Sequence, residues 1–591
     1  MAPSADPQAI PNSKSNLLKI LIPEKVSPDG LALLSDKFEI HQPKNLPAEE
    51  LQEIIHQYHA LIIRSETKVT APILAAAKNL KVVARAGVGV DNIDVDAATN
   101  QGIIVVNSPS GNIAAAAEHT IALLMSVARN VPAGDRSLRA GGWERSKLVG
   151  TEVGGKTLGI VGLGKVGLKV ARMAKGLGMK VLALDPYASP EIARANSVNL
   201  VADLLSLLQV SDFLTIHTPL IASTMDLISK IELSQMKPTA KILNVARGGV
   251  INESDLLDAL NAGTIAGAGL DVFTQEPPTA GSTAEALTRH PKVVVTPHLG
   301  ASTVEAQENV SKDVCAQVLS VLNGGLPTSA VNAPLILPEE YKKLQPFVEL
   351  VEKMGSIFTQ HYGSKAGARG TIGGRKFDLI YEGELASISN TRPLFAALVK
   401  GLTGVISEGQ GRDVNIVNAE LIAKEKGIVV NETHNRESND RMYASQVSLK
   451  ASPIIIKEAS GQGGSGGGGS GSEQIISGYV SGKTVYISRL DRFTTSFVPE
   501  GTLLALRNYD EPGKIGSVGS ILGRHSINIK FMTVAALEKA KGYGDTVRDE
   551  KNGNRDNEAL MILGVDGVMS NQIEAELREA KGILDVSIVR L

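Results

Sequence analysis

A single cysteine, Cys315, among 591 residues excludes an internal disulfide framework and fits a reducing compartment with an inert thiol. No stretch approaches the roughly 20 consecutive apolar residues that a membrane helix needs. Residues 1–16 have neither an apolar centre nor an arginine, unlike a signal or transit peptide, so a cytoplasmic location is expected. Charge of one sign is also lacking. The 60 Lys and Arg stand against 62 Asp and Glu, which removes the global field that drives a chain onto nucleic acid or an anionic membrane. Any anion must be held by local charge, and no metal site is expected. Apolar material, by contrast, makes up 43% of a chain too long for one core, enough for three or four domains.

From Leu17 the short runs LLKILIP, LIIRSE, KVVARAG and GIIVVNSP alternate with segments of helical period. That alternation predicts a parallel sheet covered by helices on both faces. A second series, TLGIVGLG, VLALDP, FLTIHTP, KILNVARG and VVVTPH, begins at Thr157. Two doubly wound α/β domains are therefore expected. Residues 113–129 carry the chain from the first to the second, and residues 302–323 cross back. The first domain is then discontinuous (1–108 with 299–330), and the second spans 109–298. Residues 331–500 predict a less regular αβ domain interrupted by the Gly/Ser-rich stretch 460–472, read as a flexible loop. Residues 501–591 read strand, helix, strand, strand, helix, strand. This βαββαβ order predicts a small open-faced domain with a charged loop at 538–557.

Gly162, Gly164 and Gly167 form G-x-G-x-x-G after the strand TLGIV and before a helical segment that begins Lys165-Val166. Such glycines permit a tight turn and close approach of backbone to a pyrophosphate at a helix N-terminus. Asp185, 18 residues after Gly167 at the end of the next strand, would accept ribose hydroxyls and repel a 2′-phosphate. NAD is favoured over NADP.

Three more predicted strands end on chemistry-bearing residues: Arg247, Asp271 with Glu276 beyond it, and His298. Open α/β sheets place ligands at these ends. A histidine beside a carboxylate can take a proton from an alcohol as hydride leaves the same carbon. An arginine offers a planar fork to a substrate carboxylate.

The strings GLGKVG, MKPTAKILNVARGGVINE, GAGLDVFTQEPP and TPHLGAST resemble the signature segments of D-2-hydroxyacid dehydrogenases. The resemblance implies a flavodoxin-like substrate domain and a Rossmann NAD domain. It also implies that Arg247 holds the substrate carboxylate and carbonyl, Glu276 supports the histidine, and His298 is the acid/base. Asp271 would meet the nicotinamide carboxamide, and Thr218, Val245 and Gly300 would line the cofactor.

LIIRSETKVT, VVARAGVGVDNID, VVNSPSGN and GGWERSK are similar to the D-3-phosphoglycerate dehydrogenase branch in its long form. That likeness implies NAD-dependent oxidation of 3-phospho-D-glycerate in the first step of L-serine synthesis, by a homo-oligomer, dimer or tetramer. Arg64, Arg85 and Asn107 would bind substrate, and Arg145 and Lys147, of the same or a neighbouring subunit, its phosphate. Val88 departs from the pattern, standing where many relatives carry a hydroxyl residue.

The segment LRNYDEPGKIGSVGSILGRHSINI resembles the opening of an ACT domain. It implies an L-serine effector held by Asn508, Asp510 and Asn528. Asp510 ends the first strand and Asn528 opens the second, so the helix between them is expected to bring the pair to one edge. Lys483, Arg489 and Arg492 are candidates for a second anionic effector.

Overall fold

The computed structural model describes residues 17–44, 46–363, 375–404, 413–436, 443–451, 474–537 and 557–591. The Gly/Ser-rich stretch lies outside them, as does the charged loop except for Asn557.

The first unit is a five-stranded parallel sheet of β1 (Lys19–Leu21), β2 (Glu39–His41), β3 (Ala60–Ile63), β4 (Val82–Arg85) and β5 (Ile104–Asn107), in the order β2-β1-β3-β4-β5. The second is a seven-stranded parallel sheet of β6 (Thr157–Val161), β7 (Lys180–Leu184), β8 (Asn199–Leu200), β9 (Phe213–Ile216), β10 (Lys241–Asn244), β11 (Gly267–Leu270) and β12 (Val293–Val295). Its order is β12-β11-β10-β9-β6-β7-β8. Strands such as Phe213–Ile216 are buried along their whole length because helices cover both faces, which is why they read as continuous apolar runs.

The helix Ile113–Arg129 packs Leu123, Leu124 and Val127 into the second unit. The helix Val304–Leu322 returns, setting Val310, Val314, Cys315 and Val318 against Ile20, Ile62 and Val106 of the first. Burial pushes the Cys315 thiol up to about 12, so it stays protonated and inert.

A six-stranded mixed sheet follows. It comprises β13 (Lys376–Gly383), β14 (Val429–Asn435), β15 (Ser445–Ala451), β16 (Gln474–Ser481), β17 (Thr484–Leu490) and β18 (Phe493–Phe497), ordered β14-β13-β15-β16-β17-β18. The helices Pro338–Gly363 and Arg392–Gly404 contribute to its core. Residues 413–418 reach back to the first unit: Asn415 donates to the Gly102 carbonyl at 2.6 Å, and Val417 is buried in the first sheet's core. Asn332 adds bonds to Val105 N and Ile103 O at 2.9 Å each.

The last unit is an antiparallel sheet of β19 (Thr502–Tyr509), β20 (Asn528–Ala536), β21 (Glu558–Asp566) and β22 (Ile583–Arg590), ordered β20-β21-β19-β22. Two expectations are corrected here. The sheet is not open-faced: Leu503, Ala505, Leu560, Ile562 and Val589 share one core with Leu350, Val351 and Phe358 of the Pro338–Gly363 helix. Gln360 bonds the main chain of Arg590 both ways, at 2.9 and 2.8 Å. The other face carries Leu504 and Leu506 beneath the helices Lys514–Arg524 and Asn571–Glu579. TLLALRN is apolar at successive residues because both faces are covered.

Nor are Asp510 and Asn528 brought to one edge. β19 and β20 are each antiparallel to β21 and so run in the same direction. Asn528 pairs with Asp566, level with the start of β19, whereas Asp510 follows Tyr509 at the far end beside Asn557. The helix returns the chain a whole strand length, about 26 Å for the 8 residues of β19 at about 3.3 Å per residue.

Candidate active site

The glycine-rich turn joins β6 to the helix Lys165–Gly176. Gly162 has φ +93°, and a Cβ there would lie 2.7 Å from the His217 carbonyl oxygen. A Cβ on Gly167 would sit 2.2 Å from the Gly162 carbonyl oxygen, so only glycine lets the helix settle on the strand end. Gly164 caps the helix and has open space on its outer side. Asp185 accepts from Leu163 N at 2.7 Å with one oxygen and from Tyr187 N at 2.8 Å with the other, which fixes the carboxylate beside the turn.

A cleft of 420 Å³ continues from there, with Val88, Asp91, Val166, Thr218, Val245, Arg247, His298 and Gly300 among its walls. The Thr218 hydroxyl is buried without a protein partner. An open turn at a helix N-terminus, a fixed carboxylate and an orphaned hydroxyl together fit a dinucleotide. Lys165 donates to Ser110 at 2.9 Å in a neighbouring recess, away from this lining. Asp185→Ala should raise the Michaelis constant for NAD and lower that for NADP. Coincident cofactor titrations of variant and parent would show that the carboxylate does not select.

His298 follows β12 and faces Glu276, with Nδ1 and Oε2 2.7 Å apart. The other Glu276 oxygen accepts from Phe273 N at 3.0 Å. Burial pushes the Glu276 carboxyl up, but the bonds from His298 and Phe273 and the charge on His298 outweigh it and leave it below the usual range. His298 holds the left-handed conformation, φ +54°, uncommon for a residue with a side chain.

Asp271 fixes this turn. Fully buried, it accepts from Thr296 Oγ1 at 2.6 Å, Leu299 N at 2.7 Å and Gly300 N at 2.8 Å. Its two oxygens thus hold both backbone amides that follow His298. Arg247 follows β10, with Nη1 on Ala246 O at 2.7 Å and Nε 3.3 Å from Asp91.

Arg85 ends β4. Its guanidinium is pulled below the usual arginine range by burial first and then by the charge of Arg247, with Arg64 adding in the same sense and Asp91 and Glu24 opposing. Arg85 Nε is buried without a partner. A Cβ on Gly87 would lie 2.1 Å from Arg85 Nη1, and one on Gly89 2.1 Å from Arg247 Nη2. The two arginines thus lie against the bare backbone of Gly87-Val88-Gly89, and Val88 is one of the cleft walls.

Asn107 serves this loop rather than presenting a free amide. It donates to Val88 O and accepts from Ser329 Oγ at 3.1 Å. Arg145 and Lys147 occupy an exposed turn outside the cleft lining, where Lys147 pairs with Glu144 at 2.8 Å.

Four participants escaped the sequence reading: Glu24, Asp91, His119 and His217. Glu24 accepts from the backbone amides of Arg64, Glu66 and Thr67 at 2.9, 3.2 and 3.0 Å, so it shapes the loop that carries Arg64. Nothing in LIPEKVS signals this, because the partners are backbone amides 40 residues away. His217 sits beside Thr218 in the motif FLTIHTP, and burial of its imidazole lowers it to about 4. A base with a depressed folded-state value binds fewer protons folded than unfolded. Its contribution is complete above pH 6.5 and is lost as pH falls from 6.5 towards 4. Acid unfolding of His217→Gln should be less steep than the parent's across that window.

Residues 121–300, which hold the turn, Asp185, Arg247, Glu276 and His298, match the D-isomer specific 2-hydroxyacid dehydrogenase NAD-binding domain. Residues 343–458 match the D-3-phosphoglycerate dehydrogenase intervening domain. The chain is 38% identical over 575 residues to a Synechocystis D-3-phosphoglycerate dehydrogenase, covering 97% of this chain and 95% of that one. It is 41% identical to Arabidopsis thaliana D-3-phosphoglycerate dehydrogenase 2, chloroplastic, over 94% of this chain and 84% of that one. For the Archaeoglobus fulgidus D-3-phosphoglycerate dehydrogenase the figures are 37%, 97% and 100%. The chain belongs to the D-3-phosphoglycerate dehydrogenase family.

In this family member the regulatory candidates do not gather at one place. Asn508 is buried, donates to Tyr509 O at 2.8 Å and leaves its own Oδ1 unpartnered. Asp510 and Asn528 are exposed. Lys483 sits at the tip between β16 and β17, whereas Arg489 bonds Asp491 O and Arg492 pairs with Glu558 at the other end. These three make no common anion site. Among the described residues no helix is long and apolar enough to cross a membrane, and no cluster of three His, Cys, Asp or Glu could hold a metal ion.

Proposed function

We propose that the chain oxidises the C2 hydroxyl of 3-phospho-D-glycerate to the ketone of 3-phosphohydroxypyruvate with NAD, the entry step of L-serine synthesis, as a cytoplasmic homo-oligomer. The observation that carries this reading is the meeting of Arg247 with His298, itself paired to Glu276, in one cleft, beside a partly buried Arg85 that feels the charges of Arg247 and Arg64. Bound NAD supplies the hydride acceptor. Glu276 holds His298 Nδ1, so Nε2 is free to take the hydroxyl proton, and the carboxylate then stabilises the imidazolium. Arg247 takes the substrate carboxylate in its fork. Arg85 and Arg64 take the phosphate.

Steady-state turnover with NAD should be far faster on 3-phospho-D-glycerate than on D-glycerate. Equal rates would reject the phosphate assignment, and no turnover on either would reject the reaction.

L-serine is the proposed effector. The unpartnered Asn508 oxygen supports a polar ligand at this domain. Since Asp510 and Asn528 stand at opposite ends of one sheet, a shared site needs the Asp510 end of one copy and the Asn528 end of another. Inhibition then requires that serine bind two conformations unequally. Calorimetry on parent and Asn528→Ala tests it: serine bound by neither, or inhibition undiminished in the variant, would reject this site.

A further inference from the structure

We propose that His119 is a positioning residue for the reaction, acting on the His298 turn through Thr296 and Asp271. The inference rests on reading His298 as the acid/base. His119 lies on the helix Ile113–Arg129, and its Nε2 is 2.9 Å from Thr296 Oγ1 and 3.2 Å from Asp271 Oδ1. Thr296 Oγ1 in turn donates to Asp271 Oδ1 at 2.6 Å. With that hydroxyl proton committed, the His119 contact is satisfied by an Nε2–H donating to Thr296 Oγ1 and the adjacent carboxylate. Asp271 then has two further duties, the amides of Leu299 and Gly300. These directly follow His298, whose own amide donates to Asp271 O at 2.9 Å and which holds φ +54°.

The left-handed conformation is uncommon for histidine and persists only where the surroundings over-determine it. Here the over-determination has a definite shape. Asp271 is a fully buried carboxylate whose side-chain donors are Thr296 and His119, and its remaining bonds hold the backbone on the C-terminal side of the acid/base. Removing the His119 donor leaves a buried charge less well satisfied and frees the threonine hydroxyl to turn. The turn then relaxes and His298 leaves the line between Glu276 and the substrate carbon.

His119 is itself 18% exposed, on a cavity of 690 Å³ that also meets Arg136, Arg289 and His290. It touches neither the dinucleotide cleft nor the substrate arginines. Its effect should therefore fall on turnover rather than on cofactor binding.

The test compares the parent with His119→Ala, His119→Gln and His298→Ala in the full chain. It measures turnover with NAD and 3-phospho-D-glycerate across pH, the NAD dissociation constant, and the melting temperature. A misplaced catalytic group costs up to about a hundredfold, so His119→Ala is expected to lose roughly ten- to a hundredfold in kcat. Its pH profile should shift while NAD affinity holds. His119→Gln, which keeps an N–H donor at similar reach, should recover most of the rate. Parent-like turnover and pH profile in His119→Ala, beside a crippled His298→Ala, would overturn the proposal while leaving the acid/base reading intact. Equal losses in the Ala and Gln variants, with a lowered melting temperature and an unshifted pH profile, would also overturn it, as a packing role alone. Parent-like turnover in His298→Ala would remove the acid/base reading and this inference with it.

Discussion

Replacing His298 by alanine should lower turnover by at least about a hundredfold, because proton transfer by a positioned side chain typically contributes 10²–10⁴-fold. NAD binding should survive, since the glycine-rich turn, Asp185 and Thr218 are untouched by the change. The 2.7 Å contact to Glu276 makes a second, smaller effect expected in Glu276→Gln. The amide cannot stabilise an imidazolium as a carboxylate does, so the acid limb of the kcat/KM profile should move while part of the rate remains. Steady-state kinetics from pH 6 to 10 with fluorescence titration of NADH would check both. Near-parent turnover in His298→Ala would remove the residue from the chemistry, and an unmoved profile in Glu276→Gln would dissolve the pair.

The next largest effect is expected at Arg85. Its Nε is buried without a protein partner, and two neighbouring arginines make its charge costly to hold. An incoming anion relieves both conditions. A hydrogen bond to a charged group is worth about 1.5–3 kcal/mol, so Arg85→Ala should lose roughly ten- to a hundredfold in kcat/KM on 3-phospho-D-glycerate. On an unphosphorylated 2-hydroxy acid the loss should be several-fold smaller. Equal losses on the two substrates would place Arg85 on the shared carboxylate or in the architecture of the Gly87–Gly89 loop.

What could be read in advance divides along physical lines. Both parallel sheets, the glycine-rich turn and the His298–Glu276 pair were legible because local patterns encode them: buried strands as apolar runs, ligand-bearing residues at strand ends. Asp271 was legible as a residue of the site, but its hold on the turn was not, since its donors come from Thr296, Leu299, Gly300 and His119, none of which a motif around residue 271 contains. Glu24 was silent for the same reason, its bonds running to the amides of Arg64, Glu66 and Thr67. The regulatory pair failed on topology. Sequence places Asp510 and Asn528 either side of one helix, but strand order decides which end of the sheet each occupies, and β21 inserted between β19 and β20 sends them apart.

The Pro338–Gly363 helix, gripped on one side by β16 and on the other by the C-terminal sheet, has a mechanical meaning. Cutting the chain near residue 500 would not release a free-swinging module but would strip the cover from Leu350 and Phe358, so a shortened protein should aggregate rather than simply lose control. Residues from 338 onward share this one core, and Asn415 and Val417 tie it to the first unit, at Gly102 and in that unit's own core. Loosening that shared core is therefore expected to disturb Gly102 and the strands beside it, in the unit that carries Arg64 and Arg85.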